Sequence, residues 1–172
     1  MNEAPVEATD PIVDAVVRAS RALVGITVRA LASVSDEVTL TQLRTLVVVS
    51  LQGPQTVSAL ADRLDVHVST MTRMCNRLVT RGLVARKPSA LDRREVVIEL
   101  TPQGQGLVDA VMDKRRQEID AVVGRMSPED RDRVIASLDL FAQAADQTAG
   151  TGIDPDHFVP SVAPAIPQTY TA

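Results

Sequence analysis

Seven basic side chains, Arg73, Arg77, Arg81, Arg86, Lys87, Arg93 and Arg94, fall between Val66 and Arg94 against a single acid, Asp92. Guanidinium groups donate paired, charge-assisted hydrogen bonds to phosphate oxygens and to the acceptor edge of guanine. Such a cluster therefore suits a polyanion that also offers edges to read. The window carries +6 while the chain as a whole carries −4, which leaves −10 on all other residues. Release of counterions would draw a phosphate backbone to this segment, and the acidic remainder would repel it.

Other chemistry finds little footing. No Ser or Cys nucleophile stands beside a base, no glycine-rich loop could cradle phosphates, and no carboxylates have metal-ligand spacing, so neither catalysis nor a cofactor is expected. The single cysteine, Cys75, permits no internal disulfide and no thiolate metal cluster, and His67 and His157 are too far apart in sequence to suggest a shared metal. The three aromatics, Phe141, Phe158 and Tyr170, all lie outside the basic window. Base stacking on single strands is thereby disfavoured, and duplex DNA remains. No run approaches the roughly 18 to 20 apolar residues of a membrane span. The opening MNEAPVEATD carries acids where a secretory signal carries Lys or Arg, so a cytoplasmic protein without a membrane partner is expected.

The elements that must position the cluster follow from periodicity and punctuation. A segment of 1–10 without regular structure precedes apolar residues Ile12, Val13, Val16, Val17, Leu23, Val24 and Val28 at helical spacing, predicting a long helix from Pro11 to about Ser33. Thr39 with Gln42 forms a capping box for a second helix that Gly53-Pro54 stops. A short third helix follows Thr56, and the turn Asp65 to His67 leads to a fourth from about Val68 to Arg81. Met71, Met74, Cys75 and Leu78 share its inner stripe, while Ser69, Thr70, Thr72, Arg73, Asn76 and Arg77 face out. Gly82 suits the end of that helix. Leu83 to Lys87 and Glu95 to Leu100 read as strands, the second with Val96, Ile98 and Leu100 to one side, around a basic hairpin tip. Thr101-Pro102 and Ser127-Pro128 each pair an N-cap with a first-turn proline and open two more helices. From Thr148 the chain turns rich in Pro, Thr, Ala and Gly.

This order resembles the MarR family of bacterial transcription regulators over roughly Asp10 to Ala145. The likeness is carried by LTQLRTLVVVSLQGP, ALADRLDVHVSTMTRMCNRLVTRGLVAR, the hairpin LDRREVVIELT and the helix start LTPQGQGL. The resemblance implies a mainly α fold with a small β-hairpin wing, a winged helix-turn-helix over 36–101. Helical regions at 11–35 and 102–147 would interlock two copies into a homodimer, and a tail at 148–172 lies beyond the family pattern. The implied partner is double-stranded DNA with a pseudo-palindromic operator. The implied activity is sequence-specific transcriptional regulation, as a repressor released by a small aromatic or phenolic effector. Carried over residue by residue, Ser69, Thr70, Thr72, Arg73 and Arg77 contact groove and phosphates, Arg94 reaches the minor groove, Arg93 meets a phosphate, and Asp92 braces the wing arginines.

Each reading has a plainer competitor. A basic helix is more often simply solvated, and it is the hairpin beside it together with the helix-turn-helix order that argues for DNA. Arg81 and Arg86 suit structural pairing with carboxylates as well as phosphate contact. One branch of the family senses peroxides through a cysteine near the first helix, where this chain has none, so Cys75 is expected to be structural. The alternative function is a winged-helix module that binds another protein. Such a module has no need of Asp92-Arg93-Arg94, and would show apolar residues there.

Overall fold

The computed structural model describes residues 10–89 and 95–148. The N-terminal segment before Asp10, the tip residues Asp92, Arg93 and Arg94, and the Pro/Thr-rich tail after Thr148 lie outside the described residues. The order is α1 (Pro11–Val34), α2 (Leu40–Gln52), β1 (Gln55–Thr56), α3 (Val57–Arg63), α4 (Val68–Thr80), β2 (Val84–Pro88), β3 (Val96–Leu100), α5 (Pro102–Val123) and α6 (Pro128–Thr148).

Helix boundaries follow capping chemistry. Asp10, grouped by the sequence reading with the irregular N-terminus, instead caps α1 by accepting the Ile12 N–H at 2.9 Å. At α2 the expected capping box forms: Gln42 N–H donates to Thr39 Oγ1 at 3.3 Å, and Thr39 N–H donates to Gln42 Oε1 at 3.0 Å. Gly53, with φ of 76°, ends that helix in a conformation closed to most side chains. Thr101 Oγ1 accepts the Gly104 N–H at 3.0 Å, and Ser127 Oγ accepts the Asp130 N–H at 3.1 Å, so both Thr/Ser-Pro signals start helices.

The sheet is antiparallel in the order β1-β3-β2, with Val84 opposite Leu100 and Pro88 opposite Val96. The sequence reading lacked β1, which pairs Gln55 with Ile98 and Thr56 with Val97. Gln55 and Thr56, the latter also the N-cap of α3, make a strand too short to show a periodicity. The expected inward row of β3 holds only partly, because Ile98 is fully buried and Leu100 half-buried while Val96, near the hairpin end, is exposed.

The core joins α2, α3, α4, the sheet and the first half of α5: Leu43, Leu46, Leu60, Met71, Leu78, Ile98 and Val111 are inaccessible to solvent. Each such side chain contributes about 1.5–3 kcal/mol relative to exposure. On α1 only Ile26, Thr27, Ala30 and Leu31 are buried, and α6 contributes nothing to the core. The apolar stripe of α1 read from the sequence, from Ile12 to Val28, is the face left outside, and Ile135, Leu138, Leu140 and Phe141 of α6 are equally exposed.

Candidate nucleic-acid interface

The helix-turn-helix is fixed by backbone closure. After α3 the chain turns at Asp65, whose φ of 50° places a non-glycine residue in the left-handed region, and Val66 N–H donates back to Ala61 O at 3.0 Å. Asp tolerates this conformation better than most residues. His67 then takes the N-cap position of α4 without a side-chain hydrogen bond. No side chain therefore caps the first turn of α4, where the Thr70 N–H donates to the His67 carbonyl at 2.9 Å.

Met71, Cys75 and Leu78 sit fully buried beneath α4, with Met74 half-buried beside them. The opposite face carries the expected residues: Ser69, Thr70, Arg73 and Arg77 are exposed, and Thr72 is half-buried. Their side chains are not equivalent. Thr72 Oγ1 donates to Val68 O at 2.8 Å and so is engaged by its own helix. Arg73 Nε donates to Ser69 O at 3.3 Å, laying the guanidinium along the helix surface. Neither Arg73 nor Arg77 has a carboxylate partner among the described residues.

The ambiguous arginines resolve differently. Arg86, on β2, donates to Asn76 Oδ1 of α4 at 2.5 Å, and Lys87 pairs with Glu99 across the hairpin at 2.8 Å. Arg81 donates through Nη1 to Gln42 Oε1 at 3.1 Å and approaches Glu37 at 3.9 Å. These polar contacts of Asn76 and Gln42 went unread in the sequence, since their partners lie ten and 39 positions away. Ser89 N–H donates to Glu95 O at 2.8 Å, holding together the two ends of the segment that carries Asp92, Arg93 and Arg94. β2 thus packs beside α4.

Cys75 lies under this surface. Burial pushes its thiol pKa up, and the nearby Arg86 charge offsets this only in part. A protonated, inaccessible thiol is a poor nucleophile.

A second feature sits behind the helix-turn-helix. A cleft of about 680 Å³ opens between α2 and α5, lined by Val47, Leu51, Val108, Met112, Arg115 and Ile119 among others. Arg115 also borders a recess of about 50 Å³ reaching Thr27 of α1 and Leu43 of α2. Its Nε is buried without a hydrogen-bond partner among the described residues, and desolvation lowers its pKa. Among the described residues no helix is long and apolar enough to cross a membrane, and no three His, Cys, Asp or Glu side chains gather to hold a metal ion.

Known proteins share this arrangement. The MarR family profile matches residues 38–96. The HTH-type transcriptional repressor NicR of Pseudomonas putida is 30% identical over 116 residues, covering 67% of this chain and 72% of NicR. The crystal structure of RV1404 from Mycobacterium tuberculosis superposes with a TM-score of 0.74 at 38% identity, covering 83% of this chain and 98% of that one. Bordetella bronchiseptica BpsR, whose DNA binding is regulated by 6-hydroxynicotinic acid, shares the fold at 22% identity and a TM-score of 0.56, covering 81% of this chain and 98% of BpsR. A winged helix-turn-helix with a basic helix face, matched to these relatives, makes the chain a member of the MarR family of DNA-binding transcriptional regulators.

Proposed function

We propose that this regulator is a homodimeric repressor that binds a pseudo-palindromic operator in the cytoplasm and leaves it when a small anionic aromatic compound binds. The observation that carries the DNA contact is the outer face of α4, where Arg73 and Arg77 have no carboxylate partner among the described residues and lie beside Ser69 and Thr70. In this reading α4 lies in the major groove, Arg94 enters the adjacent minor groove, Arg93 meets a phosphate, and Asp92 orients both arginines. The exposed apolar faces of α1 and α6 support dimerisation, because a soluble monomer rarely leaves so much contiguous apolar surface in water. Two-fold symmetry of the protein then demands two-fold symmetry of the site.

NicR is named a repressor, and the DNA binding of BpsR responds to an aromatic acid. Here the cleft between α2 and α5 has the size of a small-molecule site, and the orphaned Nε of Arg115 is a donor in want of an acceptor. Occupation of a cleft whose walls include α2, which packs on the winged domain, and α5, which packs on α1, would change how the two recognition helices are held apart.

Enrichment of genomic DNA fragments on the purified protein tests the proposal. Recovered fragments should share an inverted repeat, and aromatic carboxylates should elute them from the wild type far more readily than from Arg115→Gln. Recovery of no common sequence contradicts the operator reading. Equal elution from both proteins contradicts the role of Arg115.

A further inference from the structure

We propose that Arg81 is a positioning residue: through Gln42 it fixes the C-terminal end of α4 to the first turn of α2, where the connection from α1 ends, and so sets the separation of the two recognition helices. This rests on the DNA-binding dimer proposed above. It assigns Arg81 a task different from the phosphate contact that its place in the basic cluster suggests.

Arg81 is the last side chain at the end of α4, since Gly82 reverses the chain with φ of 69°, Gly82 N–H donates to Val79 O at 2.9 Å and Leu83 N–H donates to Leu78 O at 3.0 Å. The guanidinium does not extend outward. Its Nη1 donates to Gln42 Oε1, an oxygen that also accepts the Thr39 N–H and belongs to a side chain only 4% exposed. One buried amide oxygen therefore completes the capping box of α2 and receives the arginine at the end of α4. Glu37, in the same connection, adds a looser charge partner at 3.9 Å.

That connection is short. Ser35 N–H donates to Leu31 O at 2.8 Å and closes α1, and Thr39 opens α2 four residues later. Because α1 carries the exposed stripe assigned to the second copy, Gln42 and Arg81 link the recognition helix to the dimer frame with few rotatable bonds between. Loss of the link would leave α4 folded, because Met71, Cys75 and Leu78 still anchor it, but free to change its angle. The property that depends on this angle is the preferred spacing between half-sites.

The test uses a duplex selected by the full-length protein from a randomised pool, re-made with the half-sites one base pair closer and one farther, and titrated at several salt concentrations. Wild type should prefer the selected spacing. Arg81→Ala and Gln42→Ala should bind that spacing several-fold more weakly and discriminate less among the three, with the slope of log affinity against log salt unchanged. Gln42→Glu, which keeps both acceptor roles, should restore the preference. Arg77→Ala should do the opposite of Arg81→Ala, keeping the preference while lowering the slope by about 1. If Gln42→Ala fails to fold, Arg81→Ala and Gln42→Glu still decide. An Arg81→Ala protein with a reduced slope and intact spacing preference would make Arg81 a phosphate contact and overturn the proposal, as would one indistinguishable from wild type. A wild type that selects no duplex would instead overturn the DNA-binding reading on which it rests.

Discussion

The guanidinium of Arg86 is hydrogen-bonded to the side-chain amide oxygen of Asn76 at 2.5 Å, so β2 is laced to the outer face of α4. Helix and wing therefore present one surface. Asn76→Ala should loosen the wing and weaken operator binding several-fold. Because the pair is exposed, thermal stability should change by no more than about 0.5 kcal/mol. Calorimetry and DNA titration on the same preparation check this, and a large loss of stability would show that the contact belongs to the fold rather than to the interface.

Gly104 is required by close approach. A Cβ at this position would run into the carbonyl of Leu83 and crowd the Leu100 side chain. Gly104→Ala should therefore destabilise the protein by about 1–3 kcal/mol or more, whereas Gly106→Ala, where nothing lies within 4 Å, should not. Denaturant unfolding of the two variants separates them.

Much of this was legible in the chain. Capping pairs such as Thr39 with Gln42, and Thr101 before Pro102, act over three residues and leave a local signature. The inner stripe of α4 followed from helical spacing, and so did the outward placement of Ser69, Thr70, Arg73 and Arg77. Long-range polar choices were not legible. Arg73, Arg77, Arg81 and Arg86 look alike in sequence, yet two of them are engaged by Gln42 and Asn76 while the other two have no such side-chain partner among the described residues. The α1 stripe was legible in its spacing, and the face expected to meet a second copy is the one this subunit leaves exposed.

The exposed residues Leu138 and Phe141 of α6 supply the clearest handle on assembly. Leu138→Asp with Phe141→Asp should convert the proposed dimer to monomer and abolish tight operator binding, while far-UV circular dichroism stays close to wild type, because α6 adds nothing to the subunit core. Sedimentation equilibrium gives the answer. A double variant that remains dimeric would move the interface elsewhere.

Burial raises the Cys75 thiol above its ordinary value of 9.0, so the folded state favours the protonated form. Below that value the thiol is neutral whether folded or unfolded, and stability does not depend on its ionisation. As pH rises past 9.0 the unfolded chain ionises first, and the contribution is lost progressively up to the folded value. Stability of the wild type should therefore fall above about pH 9 more steeply than that of Cys75→Ala. In neutral solution, peroxide should leave operator binding by wild type and Cys75→Ser equally unaffected, and a response confined to the wild type would contradict the structural role.

The central claim is that the outer face of α4 reads duplex DNA. Its most direct measurement is a salt titration of the wild type, Arg73→Ala and Arg77→Ala against a selected duplex and its single-base variants. Arg77→Ala should lower the slope of log affinity against log salt by about 1. Arg73→Ala should relax preference at one base pair per half-site, a contact worth about 1 to 3 kcal/mol of discrimination. Affinity, slope and sequence preference all unchanged in both variants would place the DNA-binding face elsewhere on the molecule.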